Sequence, residues 1–492
     1  MACISLSSIS PSLAFSLAVI LSANGNTVVA HGGEHEASKI VTGEWISNEP
    51  IDSILWIHIL LMMLSFGIIF PTGMVLGITR NRQHVSVQIL GTFIAVPAYF
   101  LGHLHKGRAF KHNVHASFAN WLMLMLITQI VFGVYLKFHF TGKINTQIRR
   151  VAVYGHGIVG KAMPVAAWVQ MLFGGITALG FCRDDHLGQC LAHFIMGSAF
   201  IGYGIILTLM MLVGQAWLKR TGRSQEFFDS ALIAAWGCVN TFTEHKWGTA
   251  WVANDIQHTT MGVIWWCAGL TGVWLSRKKD GGPKRNFVPG FVIFLTGWAM
   301  SGHPQHLPLS TMVHVVFGYT LMAAGLARII EVAFILRDRA EMEDGETNSF
   351  QYVAPFLLYA SGLLFMGATE EQMQLISDAG ITHVAYVLVL YSFAFLIFLF
   401  TNMLLHLYAV NSSPPVPPKD DESLAMNGGE RMRRLPRING HNPTDSRQIR
   451  DAEEFELDGL MSEDDDAILK EVDGDAGLES PSTLGRNDAL RV

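Results

Sequence analysis

Long apolar runs, separated by short polar stretches, occupy the chain from about residue 53 to residue 410. The runs are about 20 residues long, the length that an α-helix needs to cross a hydrocarbon layer roughly 30 Å thick. The pattern predicts an all-α, polytopic helical membrane protein. Its eleven predicted spans lie at 53–78, 84–104, 114–136, 151–181, 191–217, 228–243, 255–276, 287–302, 309–335, 352–369 and 381–409.

The two ends of the chain differ from this pattern. A short apolar stretch, Leu13 to Leu21, is followed by small residues as far as Ala30. It predicts a signal peptide over residues 1–30, with an uncleaved anchor helix as the alternative, and a short lumenal segment over 31–52. Residues 410–492 are rich in proline and acidic residues, which predicts a disordered acidic tail.

Charge sets the predicted orientation. With the mature N-terminus lumenal or extracellular, the loops assigned to the cytosol hold 16 Lys and Arg residues, and the opposite loops hold 5. This bias fits the positive-inside rule and places the C-terminus in the cytosol, because the number of spans is odd. We therefore predict a multi-pass protein of the secretory or endomembrane system, located in the plasma membrane, the vacuole or the ER.

Composition narrows the classes of partner. The chain is 50% hydrophobic and only 15% charged, and its net charge of -6 comes largely from the tail. These values predict contact with the lipid bilayer and no binding to nucleic acid. Cys182 and Cys190 flank one short loop on the predicted outer side, where a disulfide is chemically permitted.

Each of the first four predicted spans begins near a histidine: His58, His84, His115 and His156. Successive spans run in opposite directions, so His58 and His115 share one face and His84 and His156 share the other. Ionisable residues inside a membrane are usually functional, and two such pairs predict ligands for two b-type haems. In the alternative, each histidine is a packed residue bonded to a carbonyl, and His103, His105 and His112 are rival ligands to His115.

Other residues accompany these histidines. They include Pro71-x-Gly73, His84-x-x-x-Gln88-x-x-Gly91, His115-Ala116, and His156 to Lys161 with Gln170 and Gly174. This succession resembles the cytochrome b561 transmembrane core, over about residues 53–181. The whole chain also resembles the fungal YTP-type integral membrane proteins, in which a b561-like part is followed by a second multi-span domain, here 191–409.

The b561 resemblance implies a four-helix di-haem core that receives electrons from cytosolic ascorbate, with the ligand pairs His58/His115 and His84/His156. The second domain then adds about seven further spans. One departure concerns the third helix, where Phe118 stands near a position at which the family pattern has glycine. A ring at that position is expected to crowd the haem.

Basic residues lie at the predicted cytosolic ends of the helices that carry His84 and His156. They are candidates to pair with haem propionates or to hold an anionic, small-molecule electron donor. These substrate-site candidates are Arg80, Arg82, Arg149, Arg150 and Lys161.

The second domain carries polar residues mainly at its predicted outer helix ends. His193, His245, His258 and His314 are candidate ligands for Zn or Cu, although their spacing is not compact. Solvated interfacial histidines are the alternative.

Three functions remain open from the sequence. The first is transmembrane electron transfer by a b-type oxidoreductase, from a cytosolic donor to an outer acceptor such as ferric or cupric ion. The second is a metal-handling or transport protein that uses the outer histidines without haem. The third is a non-catalytic scaffold with an acidic tail.

Overall fold

The computed structural model describes residues 40, 44–138, 143–245, 248–302, 305–337 and 347–412. The predicted signal peptide at 1–30 lies outside the described residues, as does the predicted tail from residue 413 onwards.

Helices dominate all of these ranges. We number them α1 (Ser53–Ile78), α2 (Gln83–Leu104), α3 (Val114–Lys137), α4 (Lys143–Leu179), α5 (Leu187–Leu212), α6 (Gln215–Thr221), α7 (Gln225–Thr243), α8 (Ala253–Leu275), α9 (Val288–Ser301), α10 (Pro308–Leu336), α11 (Val353–Met366), α12 (Glu370–Asp378) and α13 (His383–Ser412).

Eight of the eleven predicted spans coincide with helices that are long and apolar enough to cross a membrane. They are α1 to α5, α10, α11 together with the turn before it, and α13. The other three predicted spans form helices as well, namely α7, α8 and α9. The 14 residues of α9 rise only about 21 Å, less than a hydrocarbon layer. The first turns of α7 and α8 carry acidic residues, Glu226 and Asp255. The eleven-span count stays a prediction.

Helix α1 is locally wider than an α-helix. Residues Ser65–Ile69 of α1 form a π turn, which accommodates one extra residue without ending the helix. The Ser65 hydroxyl donates a hydrogen bond to the carbonyl of Gly91 on α2, at 2.7 Å. This bond satisfies a polar group that is fully buried between the two helices.

The chain divides into two compact units. One consists of residues 1–120 and 166–414, and the other of residues 121–165 and 415–492. The core of the first unit is built around α10 and α11, where Phe317, Leu321, Leu358 and Leu364 are almost completely buried.

Glycine residues determine how closely α9 and α10 pack. On α9, Gly290 and Gly297 are seven residues apart, and they face Gly325 and Gly318 of α10. A Cβ added at Gly297 would lie 2.6 Å from the Gly318 carbonyl oxygen, and one added at Gly325 would lie 2.5 Å from that of Gly290. Two helix backbones therefore touch along this seam, as small residues allow in membrane helices.

The contact between α5 and α11 provides a test of this packing. A Cβ at Gly197 would lie 2.6 Å from the Gly362 carbonyl oxygen. We expect Gly197→Ala to reduce the free energy of unfolding by about 1 to 3 kcal/mol, because the two backbones must separate. Thermal unfolding of the full chain in detergent measures the loss.

The control is Gly202→Ala on the same helix, where an added Cβ meets nothing within 4 Å. Its unfolding temperature should match that of the unchanged protein or exceed it slightly, since alanine favours helix. Equal effects of the two substitutions would show that the close contact does not limit stability.

Candidate functional site

His58 lies on α1 and turns its imidazole towards α2. Its Nδ1 is 2.7 Å from the carbonyl oxygen of Ala98. A carbonyl only accepts, so Nδ1 carries the proton and Nε2 keeps its lone pair. A Cβ at Gly102, one turn further along α2, would lie 2.7 Å from the His58 ring. Glycine thus makes the space in which the imidazole sits.

His115, at the start of α3, repeats this arrangement against α4. Its Nδ1 is 3.1 Å from the carbonyl oxygen of Gln170, and the Gln170 side-chain amide donates to the His115 carbonyl at 2.9 Å. A Cβ at Gly174 would lie 3.1 Å from the His115 ring. The expected crowding residue, Phe118, packs edge-to-face on Phe173 with ring centres 5.7 Å apart.

The structure brings His58 and His115 together. Their ring centres are 6.4 Å apart, and the ring planes are nearly perpendicular, at 85°. With metal–nitrogen bonds of about 2 Å, two imidazoles on opposite sides of one metal have ring centres about 6 Å apart, against about 5 Å in a tetrahedral site. The separation is therefore large enough for one metal to be held between the two rings. Both rings also have the tautomer that leaves Nε2 for a metal.

His84, at the start of α2, has the same type of contact with α1. Its Nδ1 is 2.7 Å from the carbonyl oxygen of Gly73, and a Cβ at Gly77 would lie 2.8 Å from that nitrogen. In the second unit, the Gln129 side-chain amide of α3 donates to the His156 carbonyl at 2.9 Å. A Cβ at Gly133 would lie 3.6 Å from the His156 ring.

Helices α1 to α4 share a spacing of histidine and glycine. The histidines alone did not reveal this spacing in the sequence. In α2, α3 and α4, the residue beside the neighbouring histidine follows the helix's own histidine by fourteen positions, and a glycine follows four positions later. In α1 the first interval is fifteen, and the π turn lies within it. The sets are His58–Gly73–Gly77, His84–Ala98–Gly102, His115–Gln129–Gly133 and His156–Gln170–Gly174.

This spacing has a geometric consequence. Fourteen residues rise about 21 Å along an α-helix. Each of the four helices therefore carries a histidine and, about 21 Å further along its axis, the place that receives a neighbour's histidine. A search for His-x13-x-x3-Gly would have found the repeat of α2, α3 and α4 in the sequence, and one additional residue in the first interval is needed to include α1.

A polar cleft lies next to the start of α2. Its volume is about 490 Å³, and it is lined by Thr79, Arg80, Asn81, Arg82, Gln83 and Asn411. The Asn81 side chain donates to that of Asn411 at 2.6 Å, which ties the end of α13 to this cleft. Two of the five predicted basic residues, Arg80 and Arg82, thus share one cleft near His84.

The other three predicted basic residues belong to the second unit. The Arg149 guanidinium donates to the carbonyls of Leu136 and Phe138, at 3.3 and 3.4 Å. Arg150 and Lys161 have exposed side chains.

The four predicted metal ligands of the second domain form two separate groups. His193 and His314 are buried, and their ring centres are 6.0 Å apart at 81°. Each Nδ1 is hydrogen-bonded to the carbonyl four residues earlier, at 2.8 Å for His193 and 2.9 Å for His314. His193 also stacks on Phe365, with ring centres 4.4 Å apart.

The second group consists of histidine–carboxylate pairs where α7 ends and α8 begins. The His245 Nδ1 is 2.9 Å from Asp255, and its ring stacks on Trp251 with centres 3.8 Å apart. The His258 Nδ1 is 3.7 Å from Glu244.

Cys182 and Cys190 form a disulfide, with Cα atoms 5.3 Å apart. A carboxylate oxygen of Glu371 accepts a hydrogen bond from the Cys182 backbone amide, at 2.8 Å. These three residues are the only set of three or more His, Cys, Asp or Glu ligand atoms that converge within the described ranges. Because both thiols are consumed in the bond, this set is not a metal site.

Asp52 connects the loop that follows α2 to the start of α1. Its carboxylate accepts from the backbone amide of Leu55 at 2.9 Å, which caps the helix, and from that of Lys106 at 2.9 Å. These bonds, first that from Lys106 and then that from Leu55, lower the pKa of Asp52 below its usual value. The carboxylate thereby fixes the loop that follows α2, near the pair formed by His58 and His115.

Two family models match this chain. Residues 166–409 match the family described as "Protein YTP1-like, C-terminal". Residues 38–139 match a domain of unknown function, DUF2427.

Three curated relatives are similar to parts of the chain. Protein YTP1 of Saccharomyces cerevisiae is 48% identical over 245 residues, which cover 50% of this chain and 52% of that protein. The uncharacterized membrane protein C3B8.06 of Schizosaccharomyces pombe is 21% identical, covering 65% of this chain and 87% of its own length. The uncharacterized membrane protein YCR061W of Saccharomyces cerevisiae is 25% identical, covering 42% of this chain and 41% of that protein.

The match therefore spans about half the length of yeast YTP1. No solved structure matches the chain. The relatives named as membrane proteins and the long apolar helices agree that this is a multi-pass membrane protein.

The cap on α1 predicts a pH-dependent stability. The pKa of Asp52 is lowered in the folded chain, so its stabilising contribution is present above the unfolded pKa, about 3.9, and is lost as the pH falls through the folded pKa. We expect Asp52→Ala to lower the unfolding temperature at about pH 7 and to matter much less at about pH 3.

Asp185→Ala serves as the control, since Asp185 is an exposed aspartate. It should leave the unfolding temperature near that of the unchanged protein at neutral pH. An Asp52→Ala effect of equal size at both pH values would show that the carboxylate charge is not what stabilises this end of α1.

Proposed function

We propose that this protein, which is similar to the fungal YTP-type membrane proteins, carries out transmembrane electron transfer through b-type haem. The observation that carries the proposal is the pair of imidazoles from His58 and His115, 6.4 Å apart, each with Nδ1 bonded to a backbone carbonyl. His58 and His115 would hold the haem through Nε2, and the haem would supply one-electron chemistry.

Packing alone explains this arrangement less well. A single buried histidine needs only one hydrogen bond to be satisfied, and the bond from Nδ1 to a carbonyl provides it. Here two such rings meet across helices, with matching tautomers and with glycine beside each ring. Ligating histidines characteristically donate their second N–H to a carbonyl, because this bond fixes the ring and strengthens the ligand. The carbonyls of Ala98 and Gln170 perform this role.

The second haem, on His84 and His156, stays a prediction from the sequence. The repeated spacing of histidine and glycine supports it, because each of the four helices carries the same elements. Each interval rises about 21 Å along its helix, and two haems separated by that distance would carry an electron across most of a hydrocarbon layer.

The cleft beside α2 is the proposed place for the electron donor. Its volume of about 490 Å³ lies in the range of small-molecule sites. Arg80 and Arg82 give it two guanidinium groups, which bind planar anions through paired hydrogen bonds. An anionic reductant of the ascorbate class fits this chemistry. On the opposite face, ferric or cupric ion is the proposed acceptor.

The first test measures haem. The full chain, purified from haem-replete cells, should show the spectrum of a low-spin b-type cytochrome with about two haems per chain. His58→Ala and His115→Ala should each remove about one haem per chain, because each takes away one axial ligand. Absorbance of the reduced pyridine complex counts the haem.

His112→Ala is the matched control, because His112 is exposed and lies three residues before His115. This variant should keep the full haem content. If His112→Ala loses haem and His115→Ala does not, the haem ligand is His112 in the predicted outer loop and not His115. A haem-free protein would contradict the proposed function.

The pair formed by His193 and His314 favours a second candidate, a metal-handling protein that contains no haem. Both rings are buried, and their centres are 6.0 Å apart. Imidazole nitrogens suit Zn and Cu. A binding site between α5 and α10 would then take the metal as cargo.

Elemental analysis tests this candidate. If it holds, the purified protein contains about one Zn or Cu per chain, and His193→Ala or His314→Ala lowers the content at least tenfold. His186→Ala, on the exposed turn before α5, should change nothing. Equal metal content in all of these variants would remove the second candidate.

A further inference from the structure

A cluster of charged residues is buried in the first unit, away from the histidine pairs. Glu226, near the start of α7, is only 1% exposed. Its Oε1 accepts from Arg285 at 2.7 Å and from Arg328 at 2.9 Å. Arg328 also pairs with Glu331 at 2.7 Å, and the Gln351 side chain donates to Glu331 at 3.2 Å. The cluster joins α7, the segment before α9, α10 and the turn before α11.

These four charges balance, two arginines against two glutamates. Asp229 is a fifth ionisable group, one turn after Glu226 on α7, and it is 5% exposed. The groups that act on it electrostatically are Arg328, Glu226 and Arg285, together with the hydroxyl of Tyr203 on α5. An ionised Asp229 would therefore give the cluster a net negative charge inside the protein.

Several buried polar atoms in and around the cluster lack a hydrogen-bond partner among the described residues. They are Glu226 Oε2, Asp229 Oδ2 and Arg328 Nε. A buried carboxylate oxygen without a donor is costly, whereas a protonated carboxyl is neutral and gains an O–H donor of its own. If Asp229 is protonated, the two arginines and two glutamates of the cluster balance in charge. Its carboxyl O–H then also provides a hydrogen-bond donor next to carboxylate oxygens that lack one.

The cluster lies near the ends of several helices. It sits where α7 begins, α10 ends and α11 begins, and Arg285 belongs to the segment between α8 and α9. The loops next to these helix ends are basic and are the ones that the charge pattern assigns to the cytosol. A buried ionisable residue at this depth in a membrane protein is typical of a proton relay.

We propose that Asp229 is a proton-binding site, holding one proton within the charge cluster at neutral pH. Release breaks the carboxyl O–H bond, passes the proton to water at the same helix ends and leaves a carboxylate. That carboxylate competes with Glu226 for Arg328. Proton binding thereby controls the ion pairs that join α7 to α10.

Infrared spectroscopy of the full chain in lipid tests the site directly. A protonated carboxyl gives a C=O band that is separate from carboxylate bands and shifts in heavy water. At neutral pH we expect this band in the unchanged protein and in Asp280→Asn, which alters an exposed loop. Asp229→Asn should lack the band.

Asp229→Glu keeps the experiment informative if the asparagine variant does not fold, because the band should shift in position and remain present. Absence of any band that depends on residue 229 would mean that Asp229 is ionised, which would overturn the proposal. If the band disappears when sodium is added at constant pH, the site binds a sodium ion in place of the proton, and this result would also overturn the proposal.

Discussion

Close contact between helix backbones, made possible by glycine, is the constraint on which the structure depends. Glycine residues allow the backbones of α9 and α10 to touch, and likewise the backbones of α5 and α11. The same residue type makes room for the imidazoles, since Gly102 and Gly174 lie directly beside His58 and His115. Larger residues at these positions would separate the helices and displace the rings. Packing and the candidate site therefore depend on the same small residues.

A second requirement is that buried polar groups find partners inside the protein, because lipid offers none. His58 and His115 meet it with backbone carbonyls, which accept from Nδ1 and leave Nε2 for a metal. The cluster around Glu226 meets it with two arginines, although several of its oxygen and nitrogen atoms have no hydrogen-bond partner among the described residues. These two solutions differ in chemistry. The first suits a bound metal or haem, and the second suits a mobile proton.

The two matched family regions are joined at the candidate site. His115 lies in the region 38–139, and Gln170 and Gly174 lie in the region 166–409. The bonds between His115 and Gln170 run in both directions, at 3.1 and 2.9 Å. The environment of one histidine thus depends on residues from both regions. The repeated spacing of histidine and glycine likewise extends over α1 to α4, across the boundary of the two regions.

The sequence alone determined the helices, since runs of apolar residues predict spans from their length, and the alternation of span direction put His58 and His115 on one face. It could not show which carbonyl each imidazole meets, because Ala98 and Gln170 are distant in sequence. Nor did it reveal the Glu226 cluster, whose members come from four separate segments and look like ordinary helix-end charges. Hydrophobic periodicity is local, so it predicts elements; ion pairs and ring contacts join distant segments, so only the tertiary structure decides them.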